Sequence, residues 1–190
     1  MVARFDAQKD HRTLIHAFAD LQEACLNLVG DGPALEAVKV AVAELGIANR
    51  VNFYGYTEDV AEILARAHIF TLASNWEGFP RSTVEAMRAG LPTVVSAVGG
   101  ASEAVSEGIT GYSVPRSDVA TLRDRLSILV EDRQKRAQFG NAARLRYMEY
   151  FTFDRMFDRT LALCDDVVAG QRIKSMRSEA LVKARKRPIE

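Results

Sequence analysis

Leu26-Asn27-Leu28-Val29-Gly30-Asp31-Gly32-Pro33-Ala34-Leu35 is the stretch that decides the fold. Four residues of strand length run into a Gly-Asp-Gly-Pro turn. Leu35, Val38, Val42 and Leu45 then recur at helical spacing, and Gly46 follows as a C-terminal stop. A buried strand feeding a tight turn and a helix is the repeating unit of a parallel sheet.

The same alternation continues outward. Strands are expected at Val51–Tyr54, Ile69–Ala73, Thr93–Ser96 and Tyr112–Val114. Helices are expected over 59–67, 83–89, 102–107, a face marked by Val119, Leu122, Leu126 and Leu129, and a stripe from Phe153 to Val168. Gly90-Leu91-Pro92 stops the helix that begins at Thr83. Short links and right-handed crossovers make this an α/β protein with a Rossmann-like, doubly wound parallel sheet. Such sheets bind ligands beyond the carboxyl ends of their strands. Val2-Ala3-Arg4-Phe5 resembles the end of a strand with nothing before it, so Met1 is read as an artificial or gene-fragment start.

Composition sets limits on function. The 190 residues carry 25 basic and 25 acidic side chains, a balance without a nucleic-acid signature. Residues 171–190 hold seven basic and two acidic residues and form a basic tail on an acidic body. That tail fits a solvated extension or a weak contact with an anionic surface, such as the inner face of a membrane. No apolar run approaches the ~20 residues of a membrane span, and no signal peptide is visible, so a cytoplasmic protein is expected. Cys25 and Cys164 are read as buried thiols. The histidines His11, His16 and His68 share no metal-ligand spacing; a weak phosphate role for His11 stays open.

Chemistry concentrates in Ser74-Asn75-Trp76-Glu77-Gly78-Phe79-Pro80-Arg81-Ser82-Thr83-Val84-Glu85-Ala86-Met87, which follows a strand and opens a helix. Gly78 admits close backbone approach, Pro80 stiffens the entry, and Ser82 or Thr83 can cap the helix. Amide donors at a helix start suit a phosphate, and the carboxylates of Glu77 and Glu85 suit hydroxyls of a sugar or ribose. Arg4 and Lys9, at a strand end, offer cations to the same crevice. A diphosphate between two polyols, a nucleotide sugar, matches this set.

Here the chain resembles the C-terminal domain of the GT-B-fold glycosyltransferases of family 4, the glycosyl transferases group 1. The opening Arg4-Phe5-Asp6-Ala7-Gln8-Lys9, the Gly30-Asp31-Gly32-Pro33 turn and the Val51–Gly55 strand are similar to family segments. So are the Glu77/Glu85 pair with seven residues between them, Val98–Glu103 and Gly108–Tyr112. The resemblance covers about Ala3 to Ala169. It implies a nucleotide-sugar-binding domain at 1–170, with the basic tail at 171–190.

The resemblance also implies roles. Arg4 and Lys9 would hold the diphosphate and steady the leaving group, and Glu77 would hold donor-sugar hydroxyls. Glu85 would take the ribose, and backbone around Gly78, Phe79, Pro80, Arg81 and Ser82 would contact phosphate or sugar. Gly30 and Gly32 would let the chain pass close to the nucleotide, and Gly55 and Tyr56 would border the base. The donor would be a UDP- or GDP-sugar, with no metal or other cofactor. The activity implied is a retaining hexosyl transfer to a glycan, lipid-linked or small-molecule acceptor, needing the family's N-terminal acceptor domain as partner. Two other readings remain: a non-catalytic nucleotide-sugar-binding module, or one subunit of a split enzyme.

Overall fold

The computed structural model describes residues 1–168, and the basic tail lies outside the described residues. The chain divides into two compact units, Met1–Met148 and Glu149–Glu190.

In the first unit the elements run α1 (His11–Ala19), β1 (Leu26–Val29), α2 (Leu35–Glu44), β2 (Val51–Gly55), α3 (Val60–Ala65) and β3 (Phe70–Leu72). They continue with α4 (Arg81–Arg88), β4 (Thr93–Ser96), α5 (Ala101–Ala104), β5 (Gly111–Val114), α6 (Val119–Glu131) and α7 (Arg133–Tyr150). The unit boundary falls in the last turn of α7.

Every strand pair is parallel, as the strand–turn–helix repeat requires. The expected single sheet is divided in two: β1 pairs with β2, and β3, β4 and β5 form the other in that order. Residues 1–10 run between them. Val2 bridges in parallel to Val29, and Lys9 bridges antiparallel to Ser74. The division has a local cause: only residues 7–10 reach the β3 side, where Asp10 N–H donates to Ala73 O at 3.0 Å and Asn75 N–H to Gln8 O at 2.8 Å.

The starts of α1, α3 and α6 are set by aspartates. Asp10 accepts from Thr13 N–H at 3.0 Å, Asp59 from Glu62 N–H at 3.1 Å, and Asp118 from Thr121 N–H at 2.9 Å. Gly46 (φ 68°) and Gly90 (φ 76°) end α2 and α4 in the left-handed region. The core is continuous. Phe5, Leu14, Ile15 and Phe18 pack with strand residues Leu28, Phe70, Leu72, Val94 and Val95 and with Leu122 and Leu129 of α6.

Two helices escaped the sequence reading. α1 follows a short loop and shows only Leu14, Ile15 and Phe18 as its apolar stripe; α7 is largely polar, with Phe139, Gly140 and Ala143 buried. Cys25 and Cys164 are free thiols and both are exposed, which corrects the expectation of burial. Cys25 lies in the loop just ahead of β1, outside the buried run.

The second unit holds α8 (Phe153–Val168), whose bounds match the expected stripe. Phe153 stacks on Phe157 with ring centroids 6.0 Å apart, and Arg159 lies over the Tyr150 ring. Phe153, Met156, Phe157 and Leu161 are exposed. No helix among the described residues is long and apolar enough to cross a membrane.

Gly140 shows how tightly α7 packs on the α4–β4 turn. A Cβ built there would stand 2.2 Å from Gly90 O. Gly140→Ala should therefore destabilise by about 1–3 kcal/mol, although alanine is the better helix former by ~1 kcal/mol. Denaturant unfolding of the two proteins measures it; a more stable alanine variant would show that the close approach is absent.

Candidate functional site

The site is assembled where the N-terminal segment crosses the carboxyl end of β3. Asp6 folds the segment into a turn, accepting from Gln8 N–H at 3.0 Å through its side chain and from Lys9 N–H at 3.1 Å through its carbonyl. Gln8 and Lys9 are thereby aimed at the loop after β3. Asn75 ties that loop back, donating from its side chain to Ala7 O at 3.0 Å.

Glu77 is the hub. Its carboxylate pairs with the Lys9 ammonium and accepts from Ser74 Oγ at 2.6 Å and from Gln8 Nε2 at 3.2 Å. The Glu77 side chain is 4% exposed and that of Lys9 13%, so the pair is largely withdrawn from water. A withdrawn charge needs partners, and here one cation and two neutral donors supply them. Ser74 is itself positioned, its N–H donating to Ser96 Oγ of β4 at 3.0 Å.

The opposite wall depends on small residues. A Cβ on Gly99 (φ 50°) would lie 1.8 Å from Glu77 O, and one on Gly100 would lie 2.1 Å from Gly78 O. Gly100 N–H donates to Gly78 O at 2.8 Å. Residues 98–100 thus clamp the backbone that carries the carboxylate.

Helix α4 starts beside this cluster. Pro80 is its N-cap, and no side chain caps it. The expected caps Ser82 and Thr83 lie inside the helix instead; Thr83 is buried, with Oγ1 unpaired. The first-turn amides are left without a side-chain acceptor, the state in which a helix start favours an anion. Glu85 lies in the second turn, half-buried, and its carboxylate has no protein partner among the described residues.

The expected residues thus fall into groups. Lys9 and Glu77 meet directly. Gly78, Pro80, Arg81, Ser82 and Glu85 share the loop and helix that follow Glu77, together with Phe79, whose ring is exposed. Arg4 stands apart, 72% exposed, its guanidinium 3.7 Å from Asp6. A Cβ on Gly30 or Gly32 would strike the carbonyl of Ala3 or Phe5 at 2.0 or 2.4 Å, so the close approach seen there is to the chain's own N-terminal segment. Gly55 and Gly78 border open space. Gly30 N–H donates to Gly55 O at 2.8 Å, and Tyr56 beyond it is exposed.

Sequence reasoning missed Gln8 and Ser74. Both stand inside the quoted motifs, but no spacing rule marks a side chain whose task is to hold another. His11 is also clarified. It is 3% exposed and stacked on Phe5 at 4.1 Å, and burial lowers its pKa to about 4. A neutral imidazole in the core carries no charge toward a phosphate.

Parallel strands ending at a helix start, beside a fixed carboxylate–ammonium pair, define an α/β domain of the doubly wound class. Residues 1–146 match the family described as glycosyl transferases group 1; the chain belongs to this family and represents the C-terminal domain of its GT-B fold. It is 31% identical to the N-acetyl-alpha-D-glucosaminyl L-malate synthase of Bacillus anthracis over 170 residues, which are 88% of this chain and 45% of that protein. It is 28% identical to the GDP-mannose-dependent alpha-(1-6)-phosphatidylinositol monomannoside mannosyltransferase of Mycobacterium tuberculosis, across 89% of this chain and 46% of the other. Among solved structures, Anabaena Alr3699/HepE in complex with UDP-glucose superposes with a TM-score of 0.78 at 29% identity, covering 85% of this chain and 47% of that one. The chain spans about half the length of the curated relatives it matches.

Lys9→Ala and Glu77→Ala should each cost about 2–4 kcal/mol of stability, because each strands a withdrawn charge. The double variant should lose less than the sum, with a coupling of about 1–3 kcal/mol in urea unfolding; strict additivity would mean that the pair is not formed in solution.

His11 gives a pH test. Its folded pKa lies below the ordinary value of 6.5, so the unfolded chain takes up the proton first and stability falls as pH drops from 6.5 towards 4. Between pH 7.5 and 4.5 this amounts to about 2–3 kcal/mol. His11→Phe, which keeps the stack on Phe5, should shrink the acid loss by that amount; an equal loss in both proteins would place His11 in solvent.

Proposed function

We propose that this chain is the donor-binding half of a retaining glycosyltransferase. It would take a UDP- or GDP-linked sugar and pass the sugar to a glycan, lipid-linked or small-molecule acceptor held by an N-terminal domain. The observation that carries the reading is the Glu77 carboxylate, fixed by Lys9, Gln8 and Ser74 beside an uncapped helix start.

The chemistry follows from donor and acceptor counts. A carboxylate has about four lone-pair sites, and protein donors occupy three on Glu77, so it can still accept from a sugar hydroxyl. An ammonium has three N–H donors. Lys9 can therefore keep Glu77 and still reach a phosphate oxygen. Negative charge grows on the leaving diphosphate as the glycosidic bond breaks, and a cation already in position stabilises that change without reorganising. Arg4, more exposed, would add a second cation, so that protein side chains rather than a metal meet the diphosphate. Glu85, without a protein partner, is the acceptor left for ribose hydroxyls. The complex of the Anabaena relative with UDP-glucose and the GDP-mannose dependence of the mycobacterial one support this class of donor.

Transfer also needs an acceptor in line and water kept out. Such orientation is worth roughly 7–11 kcal/mol and requires the second domain. The chain alone should bind donor without measurable transfer.

Calorimetric titration of UDP- and GDP-sugars tests the reading. One of them should bind, and Glu85→Ala should weaken it about 10- to 150-fold, the loss of charge-assisted hydrogen bonds worth ~1.5–3 kcal/mol, with the thermal midpoint unchanged. Silence with every nucleotide sugar, or equal affinity for a folded Glu85→Ala variant, would overturn it.

A further inference from the structure

Glu77 does not use its two oxygens alike. Oε1 accepts from both the Lys9 ammonium and Ser74 Oγ, the latter at 2.6 Å. Among the described residues Oε2 accepts only from Gln8 Nε2, at 3.2 Å, and that amide is shared with Trp76 O at 3.0 Å. Each carboxylate oxygen has about two lone-pair sites. Oε1 is therefore filled, and Oε2 keeps one site open.

Which way Oε2 faces is not set by the glutamate itself. The last torsion of its side chain is soft, with a broad, two-fold profile. The plane of the carboxylate is fixed by the groups that donate to it. Lys9 is a poor guide for that plane, because its ammonium is a compact charge on a flexible stem with three rotatable donors. A diphosphate drawing on the same ammonium would also divide its hold on Oε1.

Ser74 differs on each count. Its hydroxyl stands on a one-carbon stem, and the residue is 1% exposed. Its backbone is held on two sides: its N–H donates to Ser96 Oγ of β4 at 3.0 Å, and the residue bridges antiparallel to Lys9. Ser96 is buried in turn. A serine hydroxyl has one O–H, and here it is spent on Oε1, so a phosphate does not compete for it. Gln8 does not replace this contact, since it donates to Oε2 itself and is tied to Trp76 O.

We propose that Ser74 is a positioning residue for the donor sugar: it pins Oε1 so that Oε2 stays turned to a sugar hydroxyl while Lys9 serves the diphosphate. This rests on the donor-binding reading above and divides the labour within it. Ser74 touches neither sugar nor phosphate and acts only through Glu77. Removing its hydroxyl leaves the cations that meet the diphosphate in place and loosens the grip on the sugar alone.

The test is calorimetry on the chain and its Ser74→Ala variant with UDP-glucose, UDP-N-acetylglucosamine, GDP-mannose and the bare diphosphates UDP and GDP. Ser74→Ala should weaken whichever nucleotide sugar binds by about 3- to 10-fold, the effect of one net hydrogen bond. The matching diphosphate should bind both proteins equally. Ser74→Cys keeps the volume but offers only a weak donor. It should shift the ratio of the two affinities in the same direction, and it decides the matter if the alanine variant does not fold. An unchanged ratio, whether nothing weakens or both ligands weaken together, would overturn the proposal and leave the donor reading standing. Silence of all three nucleotide sugars towards the unsubstituted chain would bring down the donor reading and this proposal with it.

Discussion

A carboxylate withdrawn from water must be surrounded by donors, and Glu77 obtains its donors from two distant parts of the chain. Lys9 and Gln8 arrive from the N-terminal segment, Ser74 from the end of β3. Satisfying one side chain therefore joins the two sheets, because the residues that supply it are those whose backbones bridge the gap. Fold and site share one constraint. The turn made by Asp6, the tether through Asn75 and the Ser74–Ser96 contact all serve to deliver those donors.

Close backbone approach is the second organising condition. Gly99 and Gly100 let one loop lie on the carbonyls of Glu77 and Gly78; Gly30 and Gly32 let another lie on those of Ala3 and Phe5. At each place a methyl group would collide with main chain, which cannot swing aside as a side chain does. The Gly30 and Gly32 contacts also show how a glycine can suggest ligand approach in sequence while serving the chain itself in the fold.

Much of this was legible from residue order. Strand-length apolar runs, Gly-Pro stops and helical spacing located β1 through β5 to within a residue or two, and the boundaries of α8 at Phe153 and Val168. The Glu77 loop stood out because unusual residues cluster between a strand and a helix. What stayed hidden was tertiary. α7 buries little beyond Phe139, Gly140 and Ala143, so its hydrophobic period is faint. The break between the sheets depends on how far residues 1–10 reach, which no periodicity encodes. Gln8 and Ser74 act through Glu77, and Pro80 displaced Ser82 and Thr83 as the start of α4 because the helix begins earlier than its hydroxyl residues suggest.

The bridge at Lys9 and Ser74 has a mechanical side. Because the ammonium and the carboxylate sit on opposite banks of the seam, any shear of one sheet past the other lengthens their contact. A molecule gripping both banks would brace the seam, and whatever stiffens the seam from afar would in turn sharpen the grip, since the two free energies are thermodynamically linked. Rigidity and recognition are, in this architecture, the same variable seen from two ends.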